Sequence, residues 1–354
     1  MANTTKIRIK DIAQMAGVSA GTVDRVLHKR PNVSPESKKK VEKILEEIDY
    51  MPNRNASALA RNKPLVIVAF IPQHNSGNYW EDIVLGMEQG KEQYTDFGAE
   101  LKIMTYDPYN FYTFTQRAQE ILDTQPNGVI IAPTHAEYNK ILIDQLSEAN
   151  IPFVYIDSEY KEKAPLSFFG QNPTESGHFA AHMMMLLNPN NKPLLIFRKI
   201  AEGVLGSNQQ FYRQTGFEEY MKNHHPEVAI HILDLHAMKP QEDEQMLDAF
   251  FDTHPEAEAG ILFNSIAYIV AGYLKKKNKD HFHLIGYDLL KENVRYLKEG
   301  AIDFLIAQNP QEQGYRCVKT LADYVLFRTE VDQTNYVPIH LVSAETIDSY
   351  LNYK

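Results

Sequence analysis

The chain has 354 residues, enough for two or three domains, and a single cysteine, Cys317, so neither a disulfide nor a thiolate metal cluster can form within it. Residues 1–63 hold 13 Lys/Arg against 7 Asp/Glu, whereas residues 64–354 hold 23 against 39, so a short basic head precedes a long acidic body. That split directs nucleic acid to the head. Met1–Lys6 lacks the apolar core of a signal peptide, and no apolar run approaches the roughly 18 residues of a membrane helix. A cytoplasmic protein with no membrane partner is expected.

In chain order, Ile9, Ile12, Ala13 and Ala16 share one helical face, and Gly17 stops the helix. Ser19 caps a second helix with Val23, Val26 and Leu27 on one side. Ser34 followed by Pro35 opens a third, running through Ile48 with Val41, Ile44, Leu45 and Ile48 turned inward. Helix, glycine turn and second helix make a helix-turn-helix, which places its second helix in the DNA major groove. The segment Asn53–Pro64, with helix formers at 56–60, joins head to body.

From Leu65 onward short apolar runs alternate with helical patterns. The runs are Leu65–Ile71, Leu101–Met104, Gly128–Ala132, Phe153–Ile156, Leu194–Phe197, Ile230–Leu233, Gly260–Phe263, Leu284–Gly286 and Phe304–Ala307; helices are expected at Tyr79–Tyr94, Phe114–Leu122 and Tyr138–Ala149. Alternation of this kind means parallel sheet, and nine runs suit two doubly wound α/β lobes better than one sheet.

At Ile9–Ala13, Ala16–Ser19, Thr22–Leu27, Val33–Pro35, Tyr50–Asn53 and Ala56–Leu59 the sequence resembles the LacI/GalR family of bacterial transcription regulators. Ile285–Asp288 and Ile306–Gly314 extend the resemblance into the body, which is similar to periplasmic sugar-binding proteins of type I. The implied architecture is an all-α helix-turn-helix head (1–52), a hinge helix (53–63) and a two-lobed α/β body (64–354) that binds effector and dimerises. Lobe 1 would comprise about 64–168 plus 310–333, and lobe 2 about 170–308 plus 335–354.

The resemblance places base readout at Ala20, Gly21 and Arg25, and phosphate contacts at Ser19 and Thr22, with Asn53 in the DNA-binding set. An arginine reads guanine bidentately, while Ala20 offers only a methyl group; contact of Arg25 with backbone phosphate is the alternative. Leu59 matches the leucine that relatives wedge into the minor groove, or else packs its helix onto the body. Asp24 stands where the family usually has serine, and His28 at i+4 is a candidate partner.

Ligands of open α/β sheets bind beyond the carboxyl ends of strands. There the resemblance nominates Tyr79 and Trp80 to stack on a sugar ring, and Asp157, Arg213, Asn264, Asp288 and Gln308 to bond hydroxyls; His135 faces the same mouth. Charged and amide groups suit polyhydroxyl ligands because each bonds more than one hydroxyl. Plainer roles exist for each: Asp288 as a helix cap, Trp80 as a core aromatic.

His178 and His182 share a helix face without a glutamate to complete a metal motif, and His281 and His283 lack further ligands. There is no glycine-rich dinucleotide loop, no phosphate loop and no nucleophile constellation, so no cofactor, metal or catalytic residue is expected. The sequence therefore reads as a homodimeric, allosteric repressor that binds roughly palindromic operator DNA and answers to a sugar or sugar derivative. A sugar-binding transport protein, or a sugar-acting enzyme with an appended DNA-binding head, is the alternative.

Overall fold

The computed structural model describes residues 9–27, 31–48, 63–108, 110–134, 136–201, 204–205, 207–236 and 240–352. Two compact units divide the chain, Met1–Ala60 and Arg61–Lys354. In the first, α1 (Ile9–Ala16), α2 (Ala20–Leu27) and α3 (Pro35–Glu47) close around Ile12, Ala13, Ala16, Val23 and Val41. Gly17 adopts a left-handed φ of 64°, which turns the chain from α1 into α2 without a Cβ to obstruct it. Ser19 Oγ accepts from the Thr22 amide at 3.1 Å, and Ser34 Oγ from the Ser37 amide at 3.2 Å. Along α3, Lys38 pairs with Glu42 and Lys40 with Glu36, so the lysine run is an exposed, ion-paired helix face. The hinge expected at 53–63 lies outside the described residues as far as Asn62, and Asn53, Leu59 and His28 with it.

The second unit contains two sheets. In chain order it runs β1 (Leu65–Pro72), α4 (Tyr79–Glu92), β2 (Ala99–Tyr106), α5 (Phe111–Asp123), β3 (Gly128–Ile131), α6 (Ala136–Glu148), β4 (Phe153–Ile156) and β5 (Ser167–Gly170). Then follow α7 (Pro173–Leu187), β6 (Leu194–Ala201), β7 (Val204–Leu205), α8 (Asn208–His224), β8 (Ile230–Leu235), α9 (Pro240–Thr253), β9 (Ala259–Leu262) and α10 (Ala267–Lys276). The chain ends with β10 (His283–Tyr287), α11 (Lys291–Lys298), β11 (Phe304–Ala307), α12 (Pro310–Phe327), β12 (Thr334–Tyr336), β13 (His340–Val342) and α13 (Ile347–Asn352). The first sheet has the order β12-β5-β4-β3-β1-β2, all parallel; the second runs β13-β11-β10-β9-β6, with β7 and β8 both pairing β6. Apolar clusters cover both faces of each sheet, which explains why the central strands read as continuous apolar runs.

Four strands escape the apolar-run pattern: β5, β7, β12 and β13. Each is two to four residues long, and β12 is Thr-Asn-Tyr. β5 and β12 belong to the first sheet, which therefore reaches Gly170 and Tyr336.

Three chain crossings connect the lobes, at 171–172, 308–309 and 337–339. Gln171, fully buried, ties them: its Nε2 donates to Ala307 O at 2.8 Å and to Pro338 O at 3.0 Å. In each lobe two helices approach closely over glycines. A Cβ on Gly86 of α4 would lie 1.9 Å from the Gln311 carbonyl oxygen of α12, and one on Gly177 of α7 would lie 2.1 Å from the Arg213 carbonyl oxygen of α8. Gly177→Ala is therefore expected to lower the stability of the body by about 1–3 kcal/mol through overpacking. Urea unfolding checks this, and an unchanged midpoint would show that α7 and α8 part freely.

Candidate functional site

Asp157 and Asp288 occupy equivalent positions in the two lobes. Each follows a central strand, β4 or β10, in the left-handed region, with φ of 67° and 69°. The amide of Asp157 donates to Phe169 O at 2.9 Å and that of Asp288 to Ile306 O at 3.0 Å, so neighbouring strands hold both turns. Aspartate tolerates this conformation better than most side chains. Asp288 is no helix cap, because α11 begins three residues later with Leu290 at its N-cap.

The structure gathers Tyr79, Asp157, Arg213, Asp288 and Gln308 around the interlobe cleft, none more than 8% exposed. Tyr79, in the first turn of α4, donates its hydroxyl to Asp157 Oδ1 at 2.9 Å, and Ser158 Oγ donates to Asp157 Oδ2 at 3.0 Å. Arg213, on α8, donates to Phe263 O at 3.1 Å and to Gln308 Oε1, with its guanidinium 4.3 Å from the centre of the Tyr287 ring. Gln308 completes the chain by donating from Nε2 to Asp288 Oδ1 at 2.6 Å. Arg213 Nε is buried without a partner among the described residues.

Two carboxylates thus surround one buried cation. Burial pushes the Asp288 carboxyl up to about 7, against the pull of Arg213 and the Gln308 amide; Asp157 and Tyr79 are raised by the same desolvation.

The other nominated residues stand further out. Trp80 is half-buried against the lobe 1 core, edge-on to Tyr79 with ring centres 5.5 Å apart. Asn264 donates to Gln210 Oε1 at 2.7 Å and accepts from the Ile266 amide at 3.2 Å, so it props the cleft wall. His135 lies outside the described residues. Sequence reasoning missed Gln209 and Gln313. Gln209 Nε2 donates from lobe 2 to Asp157 O, and Gln313 Nε2 bonds Gln308 O at 2.8 Å and Tyr79 Oη at 3.3 Å. No local signal marks either one, because a glutamine on a helix is polar in any sequence window.

On the head, Ser19, Gly21 and Arg25 are exposed on and just before α2. Arg25 reaches Asn32 O at 3.4 Å, and Thr22 Oγ1 lies 2.9 Å from Ser19 Oγ. Ala20 is half-buried against the head core, so its methyl group is partly spent on packing. Of the paired histidines, His182 Nδ1 bonds the Tyr220 hydroxyl and His283 Nδ1 bonds Asp303. His231, His254 and Glu256, unnoticed in sequence, bring three donor atoms within 4.8 Å of one another.

Fold and cleft together define a two-lobed periplasmic-binding-protein body: residues 68–329 match the periplasmic binding protein domain. Residues 8–53 match the bacterial regulatory proteins of the lacI family, and the chain belongs to that family. A solved structure of a putative LacI transcriptional regulator from Bacteroides fragilis is 48% identical, with TM-score 0.79 over 81% of this chain and 100% of that one. The probable HTH-type transcriptional repressor ExuR of Bacillus subtilis is 25% identical over 62% of this chain; the match spans 61% of ExuR's length. GanP, a glucose-galactose binding protein from Geobacillus stearothermophilus, is 19% identical and shares the fold at TM-score 0.70, covering 80% of this chain and 99% of its own.

The raised Asp288 carboxyl has a measurable consequence. Its folded-state value lies above that of the unfolded chain, so folding takes up a proton, and its contribution to stability declines as pH rises from about 4 to about 7. Asp288→Asn is expected to flatten the stability profile of the ligand-free protein across that window, while the raised Asp157 keeps a slope of the same sign. Superimposable profiles for the two proteins would place the Asp288 carboxyl in the ordinary range.

Proposed function

We propose that the chain is a sequence-specific DNA-binding transcription regulator, a homodimeric cytoplasmic repressor whose operator affinity is set by a sugar or sugar derivative held between the lobes. One observation carries this reading. A helix-turn-helix head with Gly21 and Arg25 exposed on its second helix shares a chain with a cleft where two aspartates, an arginine and amides converge beside Tyr79. Relatives named as repressors agree, among them the ribose operon repressor of Halalkalibacterium halodurans and ExuR.

Physically, the Asp157 and Asp288 carboxylates are now bonded by cleft side chains, Tyr79 and Ser158 on one and Gln308 on the other. Sugar hydroxyls would take over the bonds of Gln308 to Asp288 and of Tyr79 to Asp157, donating to the carboxylates and accepting from Arg213. Burial makes each such exchange strongly directional, because an unpaired group in the closed cleft costs more than the bond it lost. Hydrogen bonding accounts for both aspartates, and the proposed role includes no catalytic step. The effector changes operator affinity only through its different affinity for the two lobe arrangements. A single head presents few base contacts, so two half-sites read by a dimer supply the specificity.

Asp288→Ala is expected to lower effector affinity at least tenfold, since hydrogen bonds to charged groups contribute about 1.5–3 kcal/mol, while operator binding without effector persists. Calorimetry and DNA titration on the same variant decide it; a variant that loses both, or neither, contradicts the sensor mechanism. Arg25→Ala is expected to relax preference at one base pair per half-site and cost about 1–3 kcal/mol there. Uniform weakening on all sequences would show that Arg25 touches only phosphate.

A further inference from the structure

Between Tyr79 and Asp288 the free space is about 10 Å³, room for roughly one water molecule. Beside the polar cluster lies a cavity of about 270 Å³ between the lobes, lined by Ser158, Lys161 and Tyr336 from lobe 1 and by Asn208, Gln209 and Tyr212 from lobe 2. The cavity borders the polar cluster at Asp157. Ser158 bonds the Asp157 carboxylate, and Gln209 bonds the Asp157 carbonyl through Nε2. Gln209 is only 4% exposed, yet its Oε1 is a buried acceptor with no partner among the described residues.

The chemistry of the cavity is that of a sugar subsite. The Tyr212 and Tyr336 rings offer apolar surface, and Asn208, Gln209 and Ser158 offer uncharged hydrogen-bonding groups. Its charges are one of each sign: Lys161, with its ammonium 4.4 Å from the Tyr212 ring centre, and Glu159. A phosphorylated or otherwise anionic ligand would gain little from that balance. We infer that the effector is a neutral saccharide of at least two units, one in the polar cluster and the next in this lateral cavity against Tyr212 and Tyr336. The inference rests on the sugar-responsive reading above and deepens it.

The test is calorimetric titration of the full chain with maltose, cellobiose, lactose and sucrose, and with glucose, galactose and fructose. At least one disaccharide is expected to bind tenfold or more tightly than either of its constituents. Tyr212→Ala is expected to abolish that margin without changing monosaccharide affinity, and Tyr212→Phe to keep it, which separates loss of the ring from loss of the fold. A monosaccharide that binds as tightly as the disaccharides containing it, or a margin that survives Tyr212→Ala, overturns the two-unit effector and leaves the regulator standing. Failure of every saccharide to bind a protein that still binds DNA overturns the sugar-responsive reading as well.

Discussion

A guanidinium removed from water must be paired, and Arg213 is 2% exposed. The cleft is arranged around that requirement. A carbonyl at the end of β9, the amide of Gln308 at a lobe crossing and the face of Tyr287 receive the charge, while aspartates from both lobes supply the opposing field. Helix α8 can bring Arg213 to this place because Gly177 and Gly216 let it lie almost against α7. The same charge explains why two buried carboxylates are tolerated so close together. It offsets part of their desolvation, though not enough to return Asp288 to the ordinary carboxylate range.

The constraint on the lobes is of a different kind. All three crossings converge on the Gln171 amide, whose two protons are shared between Ala307 O and Pro338 O. Buried backbone carbonyls need a donor, and the Gln171 amide supplies one to each. Across the cleft, Gln209 bonds Asp157 O and Asn208 bonds Pro133 O at 3.2 Å, so in this arrangement the lobes are joined by side chains a ligand could replace. A hinge tied at its root and a cleft closed by exchangeable bonds give a ligand something to act on. Under the proposed function, the equilibrium that a ligand biases would lie between two sets of hydrogen bonds rather than between packed cores.

Much of this was legible in the residues. The helix-turn-helix showed itself through Gly17, Ser19 and Ser34-Pro35, whose roles are local and follow from one turn of chain. Asp157, Asp288 and Gln308 were reachable because they follow strands, where ligands of open sheets bind, and Arg213, on α8, through the resemblance alone. The short strands β5, β7, β12 and β13 were not, since two to four residues carry no periodicity to detect. Gln171, Gln209 and Gln313 escaped for a related reason. A glutamine on a helix or at a crossing is polar in any window, and nothing local reveals that it is buried.

What the sequence determined by itself is everything that depends on near neighbours along the chain: helix caps, the glycine turn, the alternation of strand and helix, and the division into basic head and acidic body. Long-range pairing was decided only by the tertiary structure. It set which carboxylates are raised, which amide faces a carbonyl more than a hundred residues away, and that free space lies beside the polar cluster rather than within it. The physical reason is that burial and electric field are properties of the surroundings in space, and a residue acquires them only when distant strands and helices have packed around it.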